Sequence, residues 1–235
     1  MNISKNAELN TVSAKNQLDE DKYVNLWGDV DGIRVLFVGN SITRHAPAPS
    51  IGWYGDWGMA ASTIENDYVH IVEKRLREMY GKVYCCIAQA SKWENEYFNG
   101  SKILNRYYEK ARAFNAAIII IRLGENIDRE KSKSVPFESY YDEMVKFFNP
   151  RPVSRIIITN NFWRMDVSDS TIKRIAEKNG YTFCSLRGIE DDERTMAIGK
   201  FKHKGVSIHP SDYGMKCIAD RIIDKIECLE RGDNQ

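Results

Sequence analysis

The chain has 235 residues, with 34 lysines and arginines against 33 aspartates and glutamates, and a formal net charge of +1. This balance argues against a protein built to bind nucleic acid or an anionic membrane surface. The length suits a single domain with a substantial core, and no apolar run reaches the roughly 18 residues that a spanning helix needs.

The N-terminus and the cysteines favour a cytoplasmic protein without metal or cofactor. The first residues lack the apolar stretch of a secretory signal, so we expect a cytoplasmic location. The five cysteines are odd in number and show no Cys-x-x-Cys spacing, which is typical of reduced, buried thiols. No histidine stands at ligand spacing from a cysteine, so no zinc site is expected.

The chain begins with a polar arm, residues 1–30, anchored by Tyr23, Leu26 and Trp27, and continues as one domain over residues 31–235. Strands and helices then alternate. Apolar runs predict five strands, at residues 33–38, 82–88, 116–123, 155–159 and 181–186. Helical periodicity predicts helices at residues 65–80, 101–114, 136–148, 170–179 and 211–229. This alternation predicts an α/β fold with a parallel sheet and helices on both of its faces.

A serine follows the first predicted strand directly. Residues 35–43 read Val-Leu-Phe-Val-Gly-Asn-Ser-Ile-Thr, so Ser41 lies just past the carboxyl end of a buried strand. Open α/β sheets bind their ligands at this edge, which makes Ser41 a candidate nucleophile. The alternative is a serine that only caps a helix, a common role for this residue.

A histidine precedes the last predicted helix. His209 lies in Ser-Ile-His-Pro-Ser-Asp, residues 207–212, and is the candidate base that would activate Ser41. A surface histidine before a helix start is the alternative, because the Pro-Ser-Asp segment explains that start by itself. The other three histidines, His45, His70 and His203, have no comparable context.

Three short segments resemble blocks I, III and V of the SGNH (GDSL-type) hydrolase superfamily. They are Gly-Asn-Ser-Ile-Thr (39–43), Gly-Glu-Asn (124–126) and His-Pro (209–210), in the order of the family. The resemblance implies a flavodoxin-like three-layer α/β/α sandwich with a parallel sheet of about five strands. It further implies hydrolysis or transfer of an ester-linked acyl group.

The resemblance also implies which groups would stabilise an oxyanion. Asn126 matches the family's side-chain donor, and the backbone N–H of Ser41 would be a second. The third donor in the family is a glycine N–H, but residues 88–91 read Ala-Gln-Ala-Ser, so Ala90 is the candidate and Ser91 the alternative. Asn40 replaces the aspartate that usually follows the first glycine.

A second departure from the family concerns the histidine. The aspartate that often precedes the catalytic histidine by three residues is Val206 here. Either a backbone carbonyl of residues 203–207 orients His209, or a carboxylate from elsewhere does so. Glu125 is the first candidate among the carboxylates, and the acidic residues 190–192 (Glu190, Asp191 and Asp192) are its rivals, although a solvated loop also explains that acidic run.

Aromatic side chains follow two of the predicted strands. The loop at residues 53–59 contains Trp57, and Trp163 follows the fourth strand. With Asn40, these two tryptophans are the candidate substrate-binding residues, because aromatic faces suit sugar rings and acyl chains. Packing of the same loops against the core is the alternative.

The sequence thus favours a serine esterase acting on a small-molecule or glycan ester, such as an O-acetylated sugar. An acyltransferase with the same residues is one alternative, and a carbohydrate-binding protein without catalysis is another. No nucleic-acid or membrane partner is expected, and the sequence does not indicate an oligomeric state.

Overall fold

The structure is a computed structural model that describes residues 22–151 and 154–232. Its centre is a six-stranded sheet with strand order β1-β3-β2-β4-β5-β6. Strands β2 to β6 run parallel, and β1 pairs antiparallel with β3 at one edge. The strands β1 to β6 are Val24–Gly28, Ile33–Gly39, Val83–Gln89, Ile118–Arg122, Arg155–Thr159 and Thr182–Cys184.

Helices connect the parallel strands and cover both faces of the sheet. The helices α1 to α9 are Tyr68–Tyr80, Ser91–Glu96, Ser101–Tyr107, Glu109–Ala113, Arg129–Ser134, Phe137–Phe148, Asp166–Asn179, Lys204–Ser207 and Asp212–Arg231. Local capping sets their ends. Asp67 accepts a hydrogen bond from the His70 N–H at the start of α1, and Ser211 does the same for Gly214 in α9.

The alternation of side chains along each strand divides the core into two halves. In β4, Ile119 and Ile121 pack against α2, α3, α4, α6 and α7. Ile118 and Ile120 point to the other face, where α1 and α9 cover them. A strand buried on both faces needs apolar side chains at every position, which explains the run of four isoleucines.

The predicted α/β class and parallel sheet are confirmed, but the sheet has six strands rather than about five. The extra strand is Val24–Gly28, which the sequence placed in the polar arm. This edge strand is only partly buried and mixes polar and apolar residues, so it lacks the pattern of the central strands. The first 21 residues of the predicted arm lie outside the described residues.

The short helices also escaped prediction. Helices α2, α5 and α8 have six, six and four residues, too few to show a helical period. The predicted helix at 101–114 is divided at Tyr108 into α3 and α4. Among residues 22–151 and 154–232, no helix combines the length and apolarity needed to cross a bilayer.

The turn after β2 leaves no room for a side chain at Gly39, because a Cβ there would overlap the Thr43 hydroxyl. Thr43 in turn bonds the Tyr68 hydroxyl at 2.7 Å. We therefore expect Gly39→Ala to displace Thr43 and lower the free energy of unfolding by about 1–3 kcal/mol, as overpacking does. Urea denaturation measures this change, and an unchanged midpoint would show that the turn can relax.

Candidate active site

The structure brings Ser41 and His209 together at the carboxyl edge of the sheet. Ser41 follows β2, and His209 lies between α8 and the start of α9. The Ser41 Oγ is 2.9 Å from the Nε2 of His209, although 168 positions separate the two residues. The fold thus joins two side chains that are far apart in the sequence in one hydrogen-bonded pair.

A backbone carbonyl holds the other nitrogen of the histidine. The Nδ1 of His209 is 2.6 Å from the carbonyl oxygen of Gly205. A carbonyl only accepts, so Nδ1 carries the hydrogen and Nε2 is left to accept the Ser41 hydroxyl. This tautomer is the one that a general base requires.

The Gly205 carbonyl is free for this bond because α8 is so short. The backbone N–H groups of residues 207–209 bond the carbonyls of His203, Lys204 and Val206. Carbonyls in the last turn of a helix have no backbone partner and are satisfied by other donors. The imidazole of His209 is that donor here.

Val206 does not face the histidine as a family aspartate would. Its side chain is buried in a small apolar cluster with Trp53, Met59, Ala60 and Ala197. This position therefore holds the loop that follows Ser41 against the segment that carries His209. The orienting role passes to the main chain one residue earlier.

His209 is neutral at neutral pH. Burial lowers its pKa to about 3, and the nearby His45, Arg122 and His203 act in the same direction. The hydrogen bond to Gly205 raises the pKa without offsetting the burial. The ring of Trp163 stands edge-on to the imidazole, with centroids 5.1 Å apart, so it covers the predicted base and helps to exclude water.

Of the two predicted alternatives, the backbone carbonyl of residues 203–207 orients His209, and Glu125, the first candidate among the carboxylates, does not. Its carboxylate accepts hydrogen bonds from the guanidinium of Arg122, from the Asn40 amide at 2.7 Å and from the Phe162 N–H at 3.0 Å. The side chains of Glu125 and Arg122 are 1% and 0% exposed. Glu125 is thus the counter-ion of an arginine that ends β4 inside the protein.

Two of the three rival acidic residues are engaged elsewhere. Glu190 pairs with Arg187, and Asp192 caps a single 3-10 turn and pairs with Arg194. In the described part of the chain, no hydrogen bond joins Glu190, Asp191 or Asp192 to the histidine.

Asn40 was predicted to bind substrate, but the protein itself uses all of its polar atoms. The side chain is buried, and its oxygen accepts from Arg122 and from the Ile42 N–H. Its amide nitrogen donates to both Glu125 and Glu94, at 2.7 and 3.2 Å. Asn40 therefore connects two carboxylates and an arginine, and no polar atom is left for a ligand.

Glu94 lies on α2, directly after β3, and is completely buried. One oxygen accepts from the Gly124 N–H at 2.6 Å, and the other accepts from the Asn126 amide nitrogen at 2.7 Å. Burial and the charge of Glu125 raise the pKa of Glu94 to about 7. This carboxylate thus joins the segment after β3 to the loop after β4.

Two of the predicted oxyanion donors remain available. Among the described residues, the Ser41 N–H has no acceptor, and Asn126 donates only the one side-chain bond to Glu94, so a second N–H is left. The Ala90 N–H does not fit the prediction, because it bonds the Gly39 carbonyl at 2.6 Å. The pairing of Gly39 with Gln89 continues past the strand and consumes this donor.

The alternative register does not supply a free donor either. The N–H and hydroxyl of Ser91 both bond the side chain of Gln89, at 3.3 and 2.8 Å. The third donor of the family therefore has no free counterpart at residues 90 and 91 in this conformation.

The two candidate substrate-binding tryptophans have different surroundings. Trp163 is half-buried against His209 and donates to the Ile208 carbonyl at 3.2 Å. Trp57 stacks edge-on to Trp53 and donates to the Ala61 carbonyl at 2.9 Å. Of the two, only Trp163 contacts a predicted catalytic side chain.

A groove of about 460 Å³ adjoins the predicted site along the chain. Its lining includes Ile127, which follows Asn126, and Arg164 and Met165, which follow Trp163. A larger cavity of about 710 Å³ is lined by residues of α7, β6 and α9. No predicted site residue lines either cavity, and the smaller groove is the candidate substrate site because its lining includes the neighbours in sequence of both Asn126 and Trp163.

Arg122 and Glu94 were not predicted from the sequence. Arg122 did leave a signal, because it is the only charged residue at the end of an isoleucine strand and it directly precedes the Gly-Glu-Asn loop. Glu94 left none, since a glutamate among polar residues is normally solvated.

No protein-family model matches the chain, and no curated protein matches it either. Solved structures nevertheless match its fold. A two-domain esterase active on acetylated mannans aligns over 83% of this chain and 48% of its own, with 16% identity and a TM-score of 0.55. A Bacteroides uniformis protein described as a GDSL-like lipase aligns over 83% and 96%, with 14% identity and a TM-score of 0.53.

The fold is that of the SGNH/GDSL-type hydrolases. A family two carbohydrate esterase from Clostridium thermocellum also shares it, with 13% identity, a TM-score of 0.52 and coverage of 86% of this chain and 65% of its own. The chain spans about half the length of the mannan esterase and nearly all of the Bacteroides protein. At these identities the likeness establishes the SGNH-type fold, and the chemistry must be argued from the site.

The pair of Arg122 and Glu125 yields a test of its structural role. Glu125→Ala leaves a buried guanidinium without its counter-ion, so we expect a loss of about 3–5 kcal/mol in the free energy of unfolding. Glu130→Ala, which removes an exposed partner of Lys133, is the control and should change it by at most about 0.5 kcal/mol. Urea unfolding measures both. Unchanged stability with lost turnover would instead give Glu125 a direct part in the chemistry.

Proposed function

We propose that this protein is a serine esterase that hydrolyses a carboxylic ester, with Ser41 as the nucleophile and His209 as the general base. The observation that supports this most directly is the chain of two hydrogen bonds from Ser41 Oγ to His209 and from His209 to Gly205. A serine that only capped a helix would not need a half-buried histidine in the tautomer of a base.

The first half of the reaction forms an acyl-enzyme. The Ser41 Oγ attacks the carbonyl carbon of the ester while its proton passes to the Nε2 of His209. The imidazolium then gives this proton to the leaving alcohol as the C–O bond breaks. Its Nδ1–H stays on the Gly205 carbonyl throughout, which keeps the ring in position. In the second half, water attacks the acyl group by the same route, and Ser41 is restored.

The oxyanion of each tetrahedral intermediate needs donors placed before it forms. The Ser41 N–H and the second N–H of Asn126 are the groups that we assign to this role. Both are unpaired within the described residues, and both belong to segments tied to the same buried network.

The groove near Asn126 and Trp163 supports a small, polar substrate. Its volume of about 460 Å³ lies in the usual range for small-molecule sites, and its rim includes Glu130, Lys133, Arg164 and Asp166. Charged and hydroxyl side chains around a few apolar ones suit a hydroxylated compound. Two structural neighbours are described as acting on acetylated glycans, one on mannans and one on xylan, so we propose an O-acetylated carbohydrate as the substrate class.

Acyl transfer is the second candidate. A salicylyl-acyltransferase of a tetracycline biosynthetic pathway shares the fold, with a TM-score of 0.57 and 15% identity. The same acyl-enzyme serves both reactions, and only the acceptor differs. Addition of a sugar alcohol at constant ester concentration separates them, because a transferase would form the new ester faster than it releases free acid.

The nucleophile is tested with p-nitrophenyl acetate. Ser41→Ala and His209→Ala should each lower kcat/KM by at least about 10³, because the nucleophile and its base act as one unit. Ser170→Ala, an exposed serine on α7, is the matched control and should leave it unchanged. A fluorophosphonate should label the peptide that contains Ser41 in the wild type. Hydrolysis at the wild-type rate by the Ser41→Ala protein would refute the proposal.

The oxyanion donor is tested separately. Asn126→Ala should lower kcat by about 10²–10³ with little change in KM, because the bond it removes forms only in the transition state. Steady-state kinetics on the same ester measure both constants. A rise in KM at constant kcat would instead show that Asn126 binds the ground state.

A further inference from the structure

The buried carboxylate of Glu94 has no part in the mechanism so far, yet it contacts two of its segments. Its side chain is 0% exposed. Every atom that bonds it is a donor: the Asn40 amide at 3.2 Å, the Gly124 N–H at 2.6 Å, and the backbone and side-chain nitrogens of Asn126 at 3.5 and 2.7 Å. These donors come from the turn after β2 and the loop after β4.

A carboxylate fixes the orientation of an amide that contacts it. An ionised carboxylate only accepts hydrogen bonds, so the amide must present its nitrogen and not its oxygen. The nitrogen of Asn126 has two hydrogens, and Glu94 uses one of them. The other hydrogen then points away from Glu94 and is left for a second acceptor.

We infer that Glu94 is a positioning residue: its ionised carboxylate holds Asn126 in the orientation of an oxyanion donor, and protonation of Glu94 disables that donor. The inference rests on the proposed esterase function and deepens it. It assigns control of the reaction to a residue that does not touch the substrate.

Protonation would reverse the demand on Asn126. A neutral carboxyl group has one O–H donor, and the groups around Glu94 in this conformation offer only N–H donors. Of the two amides that bond Glu94, Asn40 has its oxygen held by Arg122 and the Ile42 N–H. Asn126 is therefore the partner that can offer an oxygen, by turning its amide about 180° about its terminal torsion. A carbonyl oxygen then replaces the N–H that faced the oxyanion, and it repels the negative charge instead of binding it.

The groups that face Glu94 place its titration in the neutral range. Burial and the charge of Glu125 raise its pKa, while the bonds from Asn126, Gly124 and Asn40 lower it. The Arg122 guanidinium bonds Glu125 and Asn40 rather than Glu94. The hydroxyls of Tyr108 and Tyr141 also lie near, but burial raises their pKa values well above 10, so they stay neutral.

The sign of the pH dependence follows. As the pH falls through neutrality, Glu94 takes up a proton and the oxyanion donor is lost. His209 stays a free base over this range, because its pKa is lowered to about 3. Activity therefore falls as the pH decreases through neutrality, at pH values where the His209 imidazole is still unprotonated. The total loss of kcat cannot exceed the contribution of one oxyanion donor, which is about 10²–10³.

The test compares pH profiles of kcat on p-nitrophenyl acetate from pH 5 to 9. The wild type should fall about tenfold per pH unit below a midpoint near neutrality, with a nearly constant KM. Glu94→Gln keeps the shape without the titration, so its profile should be flat and below the wild-type plateau by at most the value of one donor, about 10²–10³. The double variant Glu94→Gln/Asn126→Ala should be no slower than Asn126→Ala alone, since both changes act through one donor.

Glu73→Gln is the matched control. Glu73, on α1, is another buried carboxylate. It accepts hydrogen bonds from Trp27 of β1 and from Arg77 of α1. Its replacement should leave the acid limb in place. A limb that persists in Glu94→Gln, or one that Glu73→Gln also removes, would overturn the role of Glu94.

A measurement without turnover separates this inference from the proposed function. In ¹⁵N-labelled wild type, the side-chain amide resonances of Asn126, identified by their absence in Asn126→Ala, should shift with a midpoint near neutrality. These resonances should not shift with pH in Glu94→Gln. If that variant does not fold, the titration of Asn126 in the wild type alone tests the inference. No titration at Asn126 would refute the inference. If the Asn126 resonances titrate but the comparison with Ser41→Ala reveals no esterase activity that depends on Ser41, the proposed function is refuted and the inference about Glu94 is not.

Discussion

The predicted site depends on one guanidinium, that of Arg122, and two carboxylates, those of Glu125 and Glu94, which are all buried from bulk solvent. Buried charges persist only when they are paired and hydrogen-bonded, and Asn40 is the residue that links Arg122, Glu125 and Glu94. Its amide donates to both carboxylates while its oxygen accepts from the arginine. An aspartate at this position would have no hydrogen to donate and would add a third carboxylate. The asparagine that departs from the family pattern is therefore the residue that this network requires.

The histidine shows a second, independent solution to a missing acid. With Val206 committed to the apolar cluster, the Gly205 carbonyl at the end of a one-turn helix orients His209. A carbonyl fixes the tautomer as well as a carboxylate does, but it supplies no full charge to stabilise the imidazolium. The lowered pKa of His209 follows from burial without such a counter-charge. As the proposed base, His209 is thus well oriented and weak, which would place more of the catalytic demand on the proposed oxyanion donors.

The sequence predicted what lies next to the ends of long elements. The serine and the histidine stand beside a strand and a helix with clear periodicity, so both could be found. A carbonyl of residues 203–207 was one of the two predicted ways to orient His209, but the choice of Gly205 could not be predicted, because every residue has a carbonyl and only the fold selects one. The occupation of the Ala90 N–H depends on strand pairing, which a single sequence does not reveal. Glu94 was hidden because a charged residue on a short helix is usually solvated, and only the tertiary structure buries it.

The same burial links function to stability. The folded protein holds the Glu94 proton more tightly than the unfolded chain, because its pKa rises from 4.5 to about 7. Ionisation therefore removes stability as the pH rises through this interval, by the linkage between proton binding and folding. The carboxylate form is also the form whose four donor contacts order the turn after β2 and the loop after β4. The ionised form of Glu94, which best orients Asn126, is thus the form that contributes less to the free energy of unfolding. Other interactions in the fold must supply the stability that ionisation removes.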